Sequence, residues 1–253
     1  MVSFTEAQIL GWLTPVFWPF LRALALFSAM PVLGTRTVPV RVRVALALLV
    51  ALAAQPDLPP VPAGPLDALP SFALVLQQVL VGITLGFAVR IVFAAVEFAG
   101  EIIGLQMGLN YAGFFDPASG ATGTATGRFY GTTIAWLFVV ANGHLLVIAA
   151  LVQSFEAFPV APEPFAFLRQ HSPAAWGREI FSLGLWLAMP LVAMLLFVNL
   201  VLGMISRVAQ QINIFAVGFP ITLGIGLLGM LLTLPMMQRP FVVALERMLT
   251  MFR

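Results

Sequence analysis

The chain contains no cysteine and no lysine, two histidines and two tyrosines, and only 9% of its 253 residues are charged. Each shortage closes a class of chemistry. Without cysteine there is no disulfide framework and no thiolate to serve as nucleophile or metal ligand. The two histidines, His144 in Asn142-Gly143-His144 and His171 alone in a polar stretch, do not form a metal-ligand pattern. Without lysine no Gly-rich phosphate loop can be completed, so nucleotide hydrolysis has no carrier. A net charge of +2 is too small to argue for a nucleic-acid partner. A soluble domain is about one quarter charged, so water is not the solvent this chain is built for.

What fills the space left by charge is apolar: 61% of the residues are hydrophobic, with 22 phenylalanines. A membrane crossing takes about 20 apolar residues. The runs at 11–33, 38–54, 72–109, 129–151, 180–205 and 212–237 therefore read as roughly six to seven helices of an all-α, polytopic membrane protein. Pro15 and Pro19 predict kinks in the first helix, because each lacks an N–H donor and crowds the preceding turn. Ser3 followed by Glu6 is a capping-box start. The N-terminal residues lack the basic region and cleavage site of a secretory signal, so the first helix is expected to be retained.

Loop charge sets the expected topology. Arg36, Arg41 and Arg43 place the first short loop in the cytoplasm by the positive-inside rule. The segment 55–70, with six prolines, two Asp and no Arg, reads as a stiff outer linker, and 153–179 as a second outer loop. Six crossings then put Arg239, Arg247 and Arg253 outside, against the same rule. The run at 72–109 is twice the length a bilayer needs and carries Arg90, Glu97 and Glu101, so it is expected to be a hairpin or a helix projecting from the membrane. The last two apolar runs, joined by a polar turn containing Arg207, Gln211 and Asn213, form a self-contained hairpin.

The richest stretch is 97–127. Ionisable groups in an apolar span are costly and face protein or water, and Glu97 and Glu101 share a helix face. Gly100, Gly104 and Gly108, like Gly82 and Gly86 upstream, recur every four residues and strip one face bare so that another backbone can approach. That face serves packing within the chain or against a neighbouring subunit; the spacing fits both. The loop 107–126 then carries Tyr111, Phe114 and Phe115, a stop at Asp116-Pro117, and a tail of small residues expected to be flexible because it buries little. The aromatics read equally as an interfacial belt or as the apolar tip of a mobile loop. Asn142-Gly143-His144 reads as a turn or packed polar kink.

Several motifs in order resemble the FliR family of flagellar biosynthesis proteins, export-gate subunits of type III secretion whose injectisome relatives are the SctT proteins. They are Phe20-Leu-Arg-Ala-Leu-Ala-Leu, Gln77-Gln-Val-Leu-Val-Gly-Ile-Thr-Leu-Gly-Phe, Ala99-Gly-Glu-Ile-Ile-Gly-Leu-Gln-Met-Gly-Leu with Asp116-Pro117, Asn142-Gly-His, and Arg207-Val-Ala-Gln-Gln-Ile-Asn-Ile-Phe with Gly218-Phe-Pro-Ile-Thr-Leu. The resemblance implies a FliP-like part at 1–179 fused to a FliQ-like hairpin at 180–253, without enzymatic activity or cofactor. It implies assembly with FliP-like and FliQ-like subunits, and with FlhB-like and FlhA-like proteins, in the bacterial inner membrane at the flagellar basal body. Unfolded proteins would be the cargo. It also implies a plug at Gly108, Tyr111, Phe114, Phe115, Asp116 and Pro117, and subunit packing through Gly82, Gly86, Gly100, Glu101 and Gly104. Gln210 and Thr222 stand where the family usually carries Pro and often Lys. Two rivals share the residues: an injectisome gate subunit, and a small-molecule or ion permease using Arg90, Glu97 and Glu101.

Overall fold

Backbone amides shielded from water must bond within their own segment, and a helix satisfies that requirement without a partner strand. The computed structural model describes residues 6–59, 69–109, 123–160, 173–209, 211 and 214–252. Among them every regular element is helical: α1 Glu6–Ala29, α2 Val40–Ala54, α3 Leu69–Gln106, α4 Ala125–Val140, α5 Gly143–Ala157, α6 Pro173–Val208, α7 Ile214–Thr233 and α8 Gln238–Leu249. Short 3-10 turns follow at Gln55–Asp57, Leu234–Met237 and Thr250–Phe252.

The run at 72–109 is one unbroken helix of 38 residues, not a hairpin. At about 1.5 Å per residue α3 is about 57 Å long, against about 30 Å of bilayer hydrocarbon. The run at 129–151 is two helices that meet at the turn read in Asn142-Gly143-His144, because Asn142 takes a left-handed conformation (φ 56°, ψ 27°) that no helix propagates. The expected outer loop at 153–179 is helical at both ends, since α5 reaches Ala157 and α6 begins at Pro173. α2, with 15 residues, is about 22 Å long and falls short of a crossing. Pro15 and Pro19 lie inside α1 without ending it. The capping-box Ser3 and positions 60–68 of the linker lie outside the described residues.

Contacts divide the chain into two compact units. The first comprises Met1–Arg90, Asn142–Trp176 and Leu245–Arg253. Its core joins Trp18, Leu26 and Phe27 of α1, Leu85 of α3 and Leu151 and Phe155 of α5. α2 lies on α1 and buries Ala47, Ala51 and Ala54, one small-residue stripe at helical spacing. The second unit comprises Ile91–Ala141 and Gly177–Ala244. Phe93 of α3 is its aromatic centre, edge-on to Phe138 of α4 (5.6 Å) and to Phe241 of α8 (5.8 Å). α6 passes close to α3 where Gly184 leaves room for the Ala95 carbonyl.

Among the described residues four stretches are long and apolar enough to cross a membrane: Gly11–Ala29, Ser71–Gln106, Trp176–Val208 and Ala216–Phe252; α4 and α5 taken as one broken span make a fifth. α6 and α7 are apolar yet largely uncovered, exposing Trp186, Phe197 and Leu200 on one and Leu228, Leu231 and Leu232 on the other. Faces of this kind belong against lipid or other subunits.

Candidate functional site

The place where α3 ends and α4 begins brings together four residues singled out in the sequence, Gly100, Glu101, Gly104 and Gly108. α3 stops because Gly108 adopts φ 80°, a left-handed conformation that glycine enters without a Cβ penalty. The Gly108 N–H then bonds the Leu105 carbonyl at 3.1 Å and the Leu109 N–H bonds the Gly104 carbonyl at 3.0 Å. This is the paired bonding of a Schellman stop, which satisfies carbonyls the last turn would otherwise leave open.

The chain enters α4 through Thr124, extended at φ −75°, ψ 161°. Its hydroxyl accepts the Gly127 N–H at 3.0 Å, capping α4, and shares a 2.9 Å hydrogen bond with Thr126 Oγ1. The Thr124 N–H itself is donated to Glu101 Oε1 at 2.8 Å. An acidic side chain of α3 thus holds the first residue of the segment leading into α4.

The glycines explain how that carboxylate gets there. A Cβ on Gly127 would run into Glu101 Oε1, one on Gly123 would come within 2.9 Å of it, and one on Gly131 within 3.0 Å of Glu97 Oε1. Gly123, Gly127 and Gly131, four apart, form a groove along α4 in which the two carboxylate side chains of α3 lie. In return a Cβ on Gly100 would be 2.9 Å from Gly127 Cα, and one on Gly104 would collide with Thr126 Oγ1. Two small-residue faces therefore oppose each other, the geometry that brings helix backbones closest. Met107, fully buried, lies against α7 in the space a side chain at Gly226 would take.

The small residues at 123–127 are not a loose tail: Gly127 is buried and Thr126 is 3% exposed. Smallness here serves close approach, whereas the expectation of flexibility equated smallness with nothing to pack. Gly100 and Gly104, with Gly82 and Gly86, all have their bare faces occupied within the chain. Gly82 faces Arg22 O and Ala25 of α1, and Gly86 faces Leu26 O and Ala29. Of the expected plug residues, Gly108 is the helix stop; Tyr111, Phe114, Phe115, Asp116 and Pro117 lie outside the described residues, as does Asn213. Arg90 is exposed.

Asn142 and Gly143 form the break between α4 and α5, and the Asn142 carbonyl accepts the Leu145 N–H at 3.0 Å. His144 Nδ1 is buried without a hydrogen-bond partner among the described residues, and no group of acidic or histidine side chains there could hold a metal ion. Arg207 is exposed in the last turn of α6, where a cation suits the helix dipole, and Gln211 is exposed in the turn that follows. Thr222 is buried and bonds back to the Gly218 and Phe219 carbonyls, both at 3.1 Å.

One polar centre escaped the reading of sites from sequence. Arg22, wholly buried in the first unit, donates to Gln78 Oε1 (2.8 Å), Ser154 O (2.8 Å), Ser154 Oγ (2.9 Å) and Phe158 O (2.8 Å), and lies 3.6 Å over the Phe155 ring. Gln78 in turn donates to Gln77 Oε1, and Gln77 to Pro159 O. The guanidinium's several donors, fanned in one plane, let a single side chain tie α1, α3 and the end of α5 together. Its only sequence signal is an Arg inside an apolar run, matched by a Gln-Gln pair in another.

The family model described as Bacterial export proteins, family 1, matches residues 13–248. The Flagellar biosynthetic protein FliR of Escherichia coli (strain K12) is 44% identical over 246 residues, covering 95% of this chain and 92% of the relative. That of Pectobacterium carotovorum subsp. carotovorum is 41% identical over 241 residues, with coverage of 95% and 92%, and that of Bacillus subtilis (strain 168) is 32% identical over 214 residues, with coverage of 81% and 80%. Order of motifs, all-helical build and similarity along most of its length agree: the chain belongs to the FliR family of flagellar biosynthetic proteins.

Proposed function

We propose that this chain is a pore subunit of the flagellar type III export gate in the bacterial inner membrane, passing unfolded flagellar proteins outward. The observation that carries the reading is similarity to FliR proteins over 95% of the chain. The apolar faces of α6 and α7 support it, because a subunit of a helical assembly must leave such faces for lipid or neighbours. Its partners are FliP-like and FliQ-like subunits in the gate, with FlhB-like and FlhA-like proteins alongside. Residues 1–179 correspond to the FliP-like part and 180–253 to the FliQ-like hairpin. The chain moves cargo without catalysing a reaction, and energy enters through other components. The flagellar assignment of the relatives favours this branch over the injectisome.

The loop between Gly108 and Gly123 is the plug. Tyr111, Phe114 and Phe115 close a narrow passage by excluding water and ions, as apolar constrictions do. Deleting residues 114–120, which spares Gly123 and the cap at Thr124, is expected to raise ion conductance of the assembled gate in lipid bilayers. Unchanged conductance with a normally assembled complex would overturn the plug.

A further inference from the structure

In the first unit α1 and α3 run side by side in the same direction. A Cβ on Gly82 would lie 2.8 Å from that of Ala25, and one on Gly86 2.7 Å from that of Ala29, so small residues on both helices bring the backbones together. Larger side chains on either side stand up from that floor as walls. Between Leu21, Leu24 and Ser28 of α1 and Val79 and Ile83 of α3 lies a groove of about 460 Å³, within the range of about 300–1,000 Å³ usual for small-ligand sites. Ser28 is the one polar side chain on its walls, and its hydroxyl is donated to the Leu24 carbonyl at 2.7 Å. The groove itself therefore selects an apolar occupant.

One end of the groove is marked by charge. Gly34 packs back on the end of α1, where a Cβ would be 2.7 Å from the Ser28 carbonyl oxygen, and the exposed Arg36 follows two residues later. On α3, Arg90 stands about two turns beyond Ile83 on the same helix face, and it too is exposed. Because Gly86 is level with Ala29, both arginines belong to the end where α1 stops. The sequence has no acidic residue between Glu6 and Asp57 or between Asp67 and Glu97, so no carboxylate from these stretches offsets the pair. The same end fits a membrane boundary. From Phe72 to Arg90 α3 rises about 27 Å, against about 30 Å of hydrocarbon, and Arg36 follows the apolar stretch Gly11–Ala29. Arginines just past an apolar span mark the cytoplasmic side, whose leaflet is rich in anionic lipid.

We propose that the groove between α1 and α3 binds one anionic phospholipid, with an acyl chain along Leu21, Leu24, Val79 and Ile83 and the phosphate between Arg36 and Arg90. A guanidinium presents a planar fork of donors that suits phosphate oxygens. A helix from another protein is the rival occupant, and the dimensions disfavour it. The groove runs about 12 Å from Leu21 to Ala29, which gives a mean cross-section of about 40 Å², under half that of a helix about 10–12 Å across.

The test offers the full chain, purified in mild detergent, equal amounts of phosphatidylglycerol and phosphatidylcholine and weighs the intact complexes by native mass spectrometry. The chain is expected to retain the anionic lipid in preference by about tenfold or more. Arg36→Gln and Arg90→Gln should each cut that preference about fivefold, whereas Arg239→Gln, exposed in the other unit, should leave it unchanged. Ser28→Phe fills the groove from an exposed position and should lose one retained lipid while the chain unfolds at the wild-type temperature. Excess inorganic phosphate should not displace the lipid, because it lacks the chain that occupies the groove. Equal retention of the two lipids, displacement by inorganic phosphate, or a preference that Arg239→Gln lowers as much as Arg90→Gln would overturn the proposal. So would an assembled gate that carries no more phospholipid than the Ser28→Phe gate, since a neighbouring subunit would then cover the groove. If Ser28→Phe fails to fold, the arginine variants decide alone.

Discussion

Gly100 and Gly203 are both glycines inside long apolar helices, and their surroundings give them opposite roles. A side chain at Gly100 meets the Gly127 Cα, the Thr126 carbonyl and the Tyr130 ring, all at 2.9 Å, two of them backbone that cannot swing away. A Cβ added at Gly203 would meet nothing within 4 Å beyond its own helix among the described residues. Gly100→Ala is therefore an overpacking change, worth about 1–3 kcal/mol of stability. Gly203→Ala relieves the entropic cost of glycine in a helix, about 0.5–1 kcal/mol in the other direction. Thermal unfolding of the isolated chain in detergent should show a lower midpoint for Gly100→Ala and an unchanged or higher one for Gly203→Ala. Equal midpoints would mean that α3 and α4 do not approach as closely as described. Gly104→Leu, an obvious probe of subunit packing from the sequence, collides with Thr126 first and so reports on the chain's own fold.

At the scale of elements, the outstanding fact is the length of α3. Positions 72 and 105 are about 50 Å apart along the axis, and both Phe72 and Leu105 are exposed. Hydrocarbon about 30 Å thick cannot cover both unless the helix tilts far beyond the usual range. The natural lack of cysteine makes the test clean: single Phe72→Cys and Leu105→Cys chains in opened membranes should include at least one that a water-soluble maleimide labels. Protection of both would show that α3 lies wholly within hydrocarbon or protein. The existence of these helices was readable from apolar runs, and so was the close-packing role of the small residues at 100 and 104. Where helices stop was less so. The break at Asn142 was readable as a turn in Asn142-Gly143-His144, but α8, with Arg239, Glu246 and Arg247 in a short segment, gave no apolar run to announce its buried Phe241, Leu245 and Leu249. The glycine groove of α4 was hidden for a different reason. Composition describes 123–127 as small, and only the facing helix reveals that small means close.

At the scale of the whole molecule, burial is unevenly spread over the described helices. In the most apolar part of α3 61% of the residues are buried within the chain, against 17% in that of α6 and 28% in that of the stretch from α7 through α8. Lipid and protein neighbours both cover such surface, but they differ in a measurable respect: oxygen dissolves in the bilayer and collides freely with a lipid-facing probe, while a packed interface excludes it. A nitroxide attached at position 197 of α6 or 231 of α7, where Phe197 and Leu231 are 66% and 64% exposed, should have high oxygen accessibility when the chain is reconstituted alone. Co-assembly with other export-gate subunits, the proposed FliP-like and FliQ-like ones first, should lower it sharply at one of the two sites at least, because the apolar faces of α6 and α7 are the exposed surface a neighbour would cover. High accessibility at both sites in the complete complex would mean that these helices meet only lipid. The neighbours would then have to dock on other surfaces, such as the side of α2, too short to cross the bilayer, where Val40, Leu49 and Leu52 are exposed among the described residues.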